Sequence, residues 1–554
     1  MIQENFIKIY EDSFKTNWDL PALSDYSKGT TLTYQGVAQE IAKYHLLFEH
    51  LNVKKGDKIA LIGKDNIHWC IVYMATITYG AVIVPILQDF NPHDVQHIIN
   101  HSESVVLFSS TKNWESLNTD KFDGLKAAFS LSSCKLLMAT KDKESIQSFL
   151  DNKDALYCQK YPNGFTQNDI QYAEVPNSEL VLINYTSGTT GFSKGVMLTA
   201  NNLAGNVTYA RTLDLLNRGQ HALSFLPLAH AYGCAFNFLL PLANGVHIYL
   251  LGKVPTPNIL LKAFADVKPN IVITVPLIIE KIYKNTILPT ISKPAIKFAL
   301  SLPIVKNKIY AKIRNKLITA MGGNFSEVII GGAALNAEVE EFLHKIKFPF
   351  TVGYGMTECA PLISYDHYYD FIPTSCGQVL KGIMEVRIDS EDPYNKIGEI
   401  QVRGENVMIG YYKNEEATRN VFTEDGWLKT GDLGRIDADH RIYIRGRSKT
   451  MILSSSGQNI FPEEIEAKLN NLPFVMESLV IERNGKLVAL VYPDYEAGDA
   501  AGLSQSDLNS VMTENKTELN KIVAPYERIA EIQLFPTEFE KTPKKSIKRY
   551  LYCN

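Results

Sequence analysis

Six short runs constrain the fold more than anything else in the chain: "KIALIG", "AVIVPIL", "SVVLFSS", "LVLINY", "NIVITV" and "EVIIGG". They are apolar on consecutive residues, so each needs cover on both faces, and between about 30 and 350 they alternate with helical segments. Strands buried on both faces and separated by helices make α/β units around a largely parallel sheet. A chain of 554 residues exceeds one core, and such lengths divide into roughly three to four folding units. The more polar stretch 151–179 reads as a surface excursion. From Gly398 the pattern changes to short strands and turns ("GEIQVRG", "RIYIRG"), and after Lys449 a compact remainder holds its own helix over 462–471. The expected organisation is a large, multi-subdomain α/β domain at 1–446 and a small α+β domain at 447–554, with the boundary at 445–449.

Composition narrows the class. A formal net charge of -4 argues against a whole-molecule nucleic-acid binder. Seven cysteines without a C-x-x-C pair fit a reducing compartment rather than a disulfide framework. The N-terminal residues lack the apolar core of a secretory signal, so a cytoplasmic location is expected. Two uncharged stretches invite a membrane reading. In 70–87, Gly80 and Pro85 divide a short helix from a β-branched strand. In 219–252, Pro227, Gly233, Pro241 and Gly245 interrupt repeatedly, which reads as buried core or the wall of an apolar channel.

The segment "YTSGTTGFSKG" (185–195) follows a strand-like run and is almost entirely hydroxyl and glycine ahead of Lys194. Glycines let backbone N–H groups approach an anion, hydroxyls add donors and a lysine adds charge. A nucleoside-triphosphatase P-loop needs G-x-x-x-x-G-K-[ST] with a helix directly behind it. Here Lys194 precedes a glycine and "VMLT" looks like another strand, so the loop holds phosphate by a different architecture. His93, His97 and His101 fall at i, i+4, i+8 of a helix, a spacing able to bind metal. Without an "HExxH" glutamate they read as a solvated face.

Six further segments follow the loop: "LPLAHAYG" (226–233), "GGAAL" (331–335), "GYGMTE" (353–358), "GEIQVRG" (398–404), "TGDLG" (430–434) and "GRSKTMILSSSGQNIFPEEIE" (446–466). In this order, over about 30–550, the set resembles the adenylate-forming superfamily of acyl-CoA synthetases, aryl-CoA ligases, luciferases and peptide-synthetase adenylation domains. The resemblance implies that a carboxylate attacks the α-phosphate of ATP to give acyl-adenylate and pyrophosphate, after which a thiol displaces AMP. It implies that Thr186, Ser187, Thr189, Thr190 and Lys194 cradle the β- and γ-phosphates. Glu358 matches the magnesium ligand, with Thr189 beside it, and Thr357 an α-phosphate donor. Tyr354 is expected against adenine, with Gly332 and Ala333 opposite. Asp432 and Arg447 are expected on the ribose, and His230 near the acyl carboxylate. Lys449 matches the hinge about which the small, mobile C-terminal domain turns, and Gly457 the glycine beside which the pantetheine of coenzyme A passes.

Two departures stand out. "KTPKKSIKRY" (541–550) puts Ser546 where the family places its adenylation lysine; Lys545 is one residue early and is favoured to serve. Val352 replaces an amide that many relatives hold near adenine. "VPLIIEKIYKN" (275–285) resembles long-chain fatty acyl-CoA ligases, with Leu277 where an arginine often stands. The expected function is therefore ATP-dependent, magnesium-requiring conversion of a long-chain fatty acid to acyl-CoA. An acyl-carrier-protein acceptor, an aryl-acid substrate and a non-catalytic nucleotide binder remain open. Residues 281–326 contain eight lysines, one arginine and no acid. That stretch reads as a solvated face, as a contact with anionic lipid headgroups at the inner face of a membrane, or as a hold on the 3′-phosphate of coenzyme A.

Overall fold

A computed structural model describes residues 2–186, 194–453, 458–542 and 546–553, without the side chains of 303 and 304. The described residues form two compact units. The first runs to Glu385 and resumes over Val402–Leu428; the second comprises Val386–Gln401 and the chain from Lys429.

In the first unit, the helix Ile67–Tyr79 and strand Val82–Ile86 show how local sequence builds the core. The Asn66 side chain accepts from the Trp69 amide to open the helix, and Gly80 closes it in the left-handed region at φ 87. The helix is apolar all round and buried, with Trp69, Ile71, Tyr73 and Ile77 at 1% exposure or less. Each such side chain contributes roughly 1.5–3 kcal/mol on burial. Pro85 does not end the strand: it lies inside it, opposite Leu61 in parallel register. Among the described residues no helix is long and apolar enough to cross a membrane.

This strand sits within an eight-stranded sheet ordered Gly410–Tyr411, Lys194–Thr199, Leu180–Thr186, Val82–Ile86, Lys58–Ile62, Ser104–Ser109, Ala127–Ser130, Leu136–Ala139. Five consecutive strands, from Leu180–Thr186 to Ala127–Ser130, are parallel, as continuous apolar runs require. A three-stranded parallel sheet joins Val272–Thr274, Val328–Ile330 and Phe350–Val352. All six apolar runs of the sequence are therefore strands. Within 151–179, the first ten residues prolong a helix, Lys143–Lys160, that Ile146 and Phe149 pin to the core; only the remainder is irregular. The stretch 219–252 is buried core, built from His221–Ser224, helical turns over 231–243 and His247–Leu250.

The second unit carries Leu428–Ile436 paired antiparallel with Ile442–Arg447. Beyond them lie the helix Pro462–Leu469 and a sheet of Val475–Arg483, Lys486–Pro493 and Glu531–Leu534. Arg549 ties the C-terminal segment to this helix: it pairs with Glu466 and Glu463, and its Nη1 donates to the Val480 carbonyl at 3.3 Å.

Candidate active site

The two ends of the phosphate-loop motif lie on paired antiparallel strands, with Thr186 opposite Lys194 and Tyr185 opposite Gly195. Ser187, Thr189 and Thr190 lie outside the described residues. The strand pair is clamped from three sides. A side chain at 195 would meet Tyr185 Cζ at 3.0 Å, so glycine there lets the ring lie on the backbone. The Tyr185 hydroxyl is 2.7 Å from His101 Nδ1, and the Tyr412 amide donates to the Gly195 carbonyl at 2.7 Å. Tyr412 in turn donates to Glu103 at 2.7 Å, and Lys413 pairs with the same carboxylate at 2.9 Å. The helix Pro92–His101 thus ends in a histidine that braces the loop, not in a wholly solvated face.

"LPLAHAYG" is drawn against this strand pair. Asn184 Nδ2 donates to the Ala229 carbonyl at 3.1 Å, and the Leu228 amide donates to Asp65 Oδ2 at 3.1 Å. Burial pushes the Asp65 carboxyl up to about 7, the Leu228 amide opposing it. His230, half-buried, stands at the N-terminus of the helical turn that begins at Ala231. Two residues on, the Tyr232 hydroxyl donates to the Ile329 carbonyl at 3.1 Å, and its ring lies 3.0 Å from where a Cβ on Gly331 would stand. The "GGAAL" turn is therefore seated on "LPLAHAYG". Gly332 adopts φ +87, a left-handed conformation that favours glycine, and both it and Ala333 are exposed.

"GYGMTE" joins the same framework. The Gly353 amide donates to the Ile330 carbonyl at 3.0 Å; Tyr354 and Thr357 are buried and Glu358 is half-buried. The Met408 amide donates to the Glu358 carbonyl at 2.8 Å. Tyr411, buried, donates its hydroxyl to Glu358 Oε1 at 2.9 Å and presents its ring to Lys194 Nζ, 4.9 Å from the centroid. Burial first, and then the Glu358 charge, push the Tyr411 phenol far above its ordinary value, so it stays a donor. Tyr411 links the loop lysine to the glutamate, and it carries no motif signal in the sequence. Nor does Asp65; His101 stood out only within a histidine-bearing helix and Tyr232 only within "LPLAHAYG", and the roles of all three come from contacts distant in the chain.

Among the described residues no group of three or more His, Cys, Asp or Glu is placed to hold a metal ion. Magnesium used with a nucleotide takes one or two protein carboxylates and completes its shell with phosphate and water. Glu358 is a single carboxylate of this kind.

In the second unit Asp432 and Arg447 are cross-strand partners, Nε to Oδ1 3.2 Å. Asp432 is buried while Arg447 is exposed, an arrangement that offers a held carboxylate edge and a movable cation. Their strands are locked by the Gly431 amide donating to Glu399 Oε1 at 3.1 Å and the Ser448 amide to the Gly431 carbonyl at 2.9 Å. Lys449 is exposed in the turn that follows. Gly457 and Lys545 lie outside the described residues. Ser546 is exposed, its carbonyl accepting from the Thr542 amide at 2.8 Å.

Comparison with known proteins agrees with this geometry. The family model described as AMP-binding enzyme matches residues 10–412. The chain is 28% identical over 562 residues to long-chain-fatty-acid–CoA ligase FadD15 of Mycobacterium tuberculosis, covering 94% of this chain and 90% of that protein. It is 30% identical to long chain acyl-CoA synthetase 6, peroxisomal, of Arabidopsis thaliana, over 80% of this chain and 66% of the relative. Among solved structures, o-succinylbenzoate CoA synthetase of Bacillus subtilis with its acyl-adenylate intermediate superposes with a TM-score of 0.73 at 19% identity, covering 99% of this chain and 97% of that one. The anthranilate CoA ligase AuaEII in complex with anthranoyl-AMP gives 0.77 at 20% identity, covering 99% and 96%. The architecture is that of an adenylate-forming enzyme. The chain belongs to the AMP-binding enzyme family.

Proposed function

We propose that the protein activates a long-chain fatty acid with ATP and transfers the acyl group to coenzyme A. The observation that carries the proposal is the convergence of motifs far apart in sequence, 184–195, 228–232, 329–332, 353–358 and 408–412, on one hydrogen-bonded framework in the first unit. The relatives named as long-chain ligases support the acid class.

In this reading Thr186 and Lys194, with Ser187, Thr189 and Thr190, hold the β- and γ-phosphates. A carboxylate oxygen of the acid attacks the α-phosphorus, the bond from that phosphorus to the bridging oxygen breaks, and pyrophosphate leaves. Bound at Glu358 beside Thr189, magnesium would neutralise phosphate charge. Tyr411 keeps the Glu358 carboxylate aimed, Thr357 donates to the α-phosphate and His230 orients the acid. Tyr354, Gly332 and Ala333 hold the base, and Asp432 and Arg447 the ribose. Residues 447–554 then turn about Lys449, admitting the thiol past Gly457. The thiolate attacks the acyl carbon and AMP departs. Positioning and charge neutralisation supply most of the acceleration in such transfers.

The test is pyrophosphate release over acids from acetate to stearate and a set of aromatic acids, with and without coenzyme A or holo-carrier protein. Preference for long aliphatic acids and acyl-CoA formation are expected. Preference for aromatic acids, or acylation of the carrier protein alone, would overturn the substrate assignment. A second reading rests on Ser546: without a lysine in that slot, the chain makes thioester from supplied acyl-adenylate more readily than it makes adenylate. Lys545→Ala separates the two. If Lys545 serves adenylation, the variant loses pyrophosphate release and keeps thioester formation.

A further inference from the structure

The stretch 288–320 runs through three helices without one buried residue among those whose side chains are described. An ordinary surface helix turns an apolar stripe to the core. Here the helix Pro294–Leu300 buries nothing, although its sequence is "PAIKFAL". At seven residues it is also too short to hold itself together in water. Ile296 and Leu300 are only half-buried and Phe298 faces outward at 71% exposure, joined by Leu302 in the connection at 44% and Val305 at the start of the next helix at 37%. Lys293 and Lys297 flank them, both exposed, as are Lys308, Lys312 and Lys316 on the following helix, Pro303–Ala320. Residues 281–326 hold eight lysines, one arginine and no acidic residue, in a chain whose net charge is -4. The positive charge is therefore local to this surface.

We propose that the helical hairpin of Pro294–Leu300 and Pro303–Ala320 is a docking surface for an anionic lipid bilayer. Phe298, Leu302 and Val305 would enter the boundary between headgroups and acyl chains, while the lysine stems lie along that boundary and their ammonium groups meet lipid phosphates. The combination selects this partner. A second copy of the chain would oppose one unneutralised cationic face to another across a two-fold axis. A nucleic acid would meet the lysines but give the aliphatic side chains no apolar phase. The inference concerns binding alone and stands whichever acid the enzyme prefers. If the long-chain reading also holds, the surface brings the enzyme to the phase where its substrate is dissolved.

The test is co-sedimentation of the full chain with vesicles of phosphatidylcholine and with vesicles in which a quarter of the lipid is phosphatidylglycerol. Binding is expected only to the anionic vesicles, weakening as salt rises. Removing one lysine near the surface should lower partitioning about fivefold, so Lys293→Gln with Lys297→Gln should lower it about 25-fold. Phe298→Ser should weaken binding at high and low salt alike. Because none of these side chains is buried, the variants should melt with the parent protein. Equal binding to both vesicle types, no binding at low salt, or binding indifferent to these substitutions would overturn the proposal. So would retention on duplex DNA without retention on vesicles, or salt-sensitive self-association through these lysines.

Discussion

Tyr411→Phe isolates the link between Lys194 and Glu358. The ring is 7% exposed, so phenylalanine fills the same space and keeps the face presented to Lys194. What is lost is the 2.9 Å hydrogen bond to Glu358 Oε1. A hydrogen bond to a charged group is worth about 1.5–3 kcal/mol, and each 1.4 kcal/mol is about tenfold in rate. If the bond holds the carboxylate where the reaction needs it, kcat/KM for ATP in pyrophosphate release should fall about 10- to 150-fold. Thioester formation from supplied acyl-adenylate should stay close to wild type, because in the proposed function Glu358 acts on the phosphates alone. Glu358→Gln on the Tyr411→Phe background should cost much less than on the wild type, since the two act as a unit. Pyrophosphate release within about twofold of wild type would refute the reasoning, as would additivity of the two substitutions.

Three further outcomes follow from other contacts. His101→Ala removes the partner 2.7 Å from the Tyr185 hydroxyl; a neutral hydrogen bond of about 1 kcal/mol predicts a several-fold rise in KM for ATP with kcat little changed, read by initial rates. Arg549→Met leaves Glu466 without its cation in a site where burial already pushes that carboxyl up to about 7. Breaking a buried pair in this way costs about 3–5 kcal/mol, so the second unit should unfold at lower denaturant, as followed by calorimetry or hydrogen exchange. Burial also lowers His247, which lies 2.7 Å from Ser24 Oγ, from 6.5 to about 4. The folded chain resists a proton that the unfolded chain accepts. The stability is present in full above 6.5 and is lost as pH falls towards 4, by roughly 3 kcal/mol at most. His247→Gln should flatten that part of a pH titration of chemical stability.

The parallel core was legible because continuous apolar runs admit one arrangement, covered on both faces. Pro85 belongs to the run "AVIVPIL", and the strand keeps it, opposite Leu61 in parallel register. The order of the motifs singled out the loop, Glu358, which Tyr411 holds, and Asp432 and Arg447, which the fold brings together as a pair. Tyr411 and Asp65 were invisible, and His101 was read only as part of a solvated histidine face, for a different reason. Each acts through one contact with a residue at least 53 positions away, and no local pattern marks a residue whose role is to hold another in place. The outward-facing Phe298 was likewise hidden: spacing predicts an apolar stripe, and only the fold shows that nothing in the described chain covers it.

The central claim, the proposed joining of an acid to AMP, is tested most directly by following oxygen. With palmitate labelled by heavy oxygen in its carboxylate, one labelled oxygen should appear in the AMP released on thioester formation, and none in the phosphate products. Label in inorganic phosphate with ADP as co-product, or unlabelled AMP, would contradict the account.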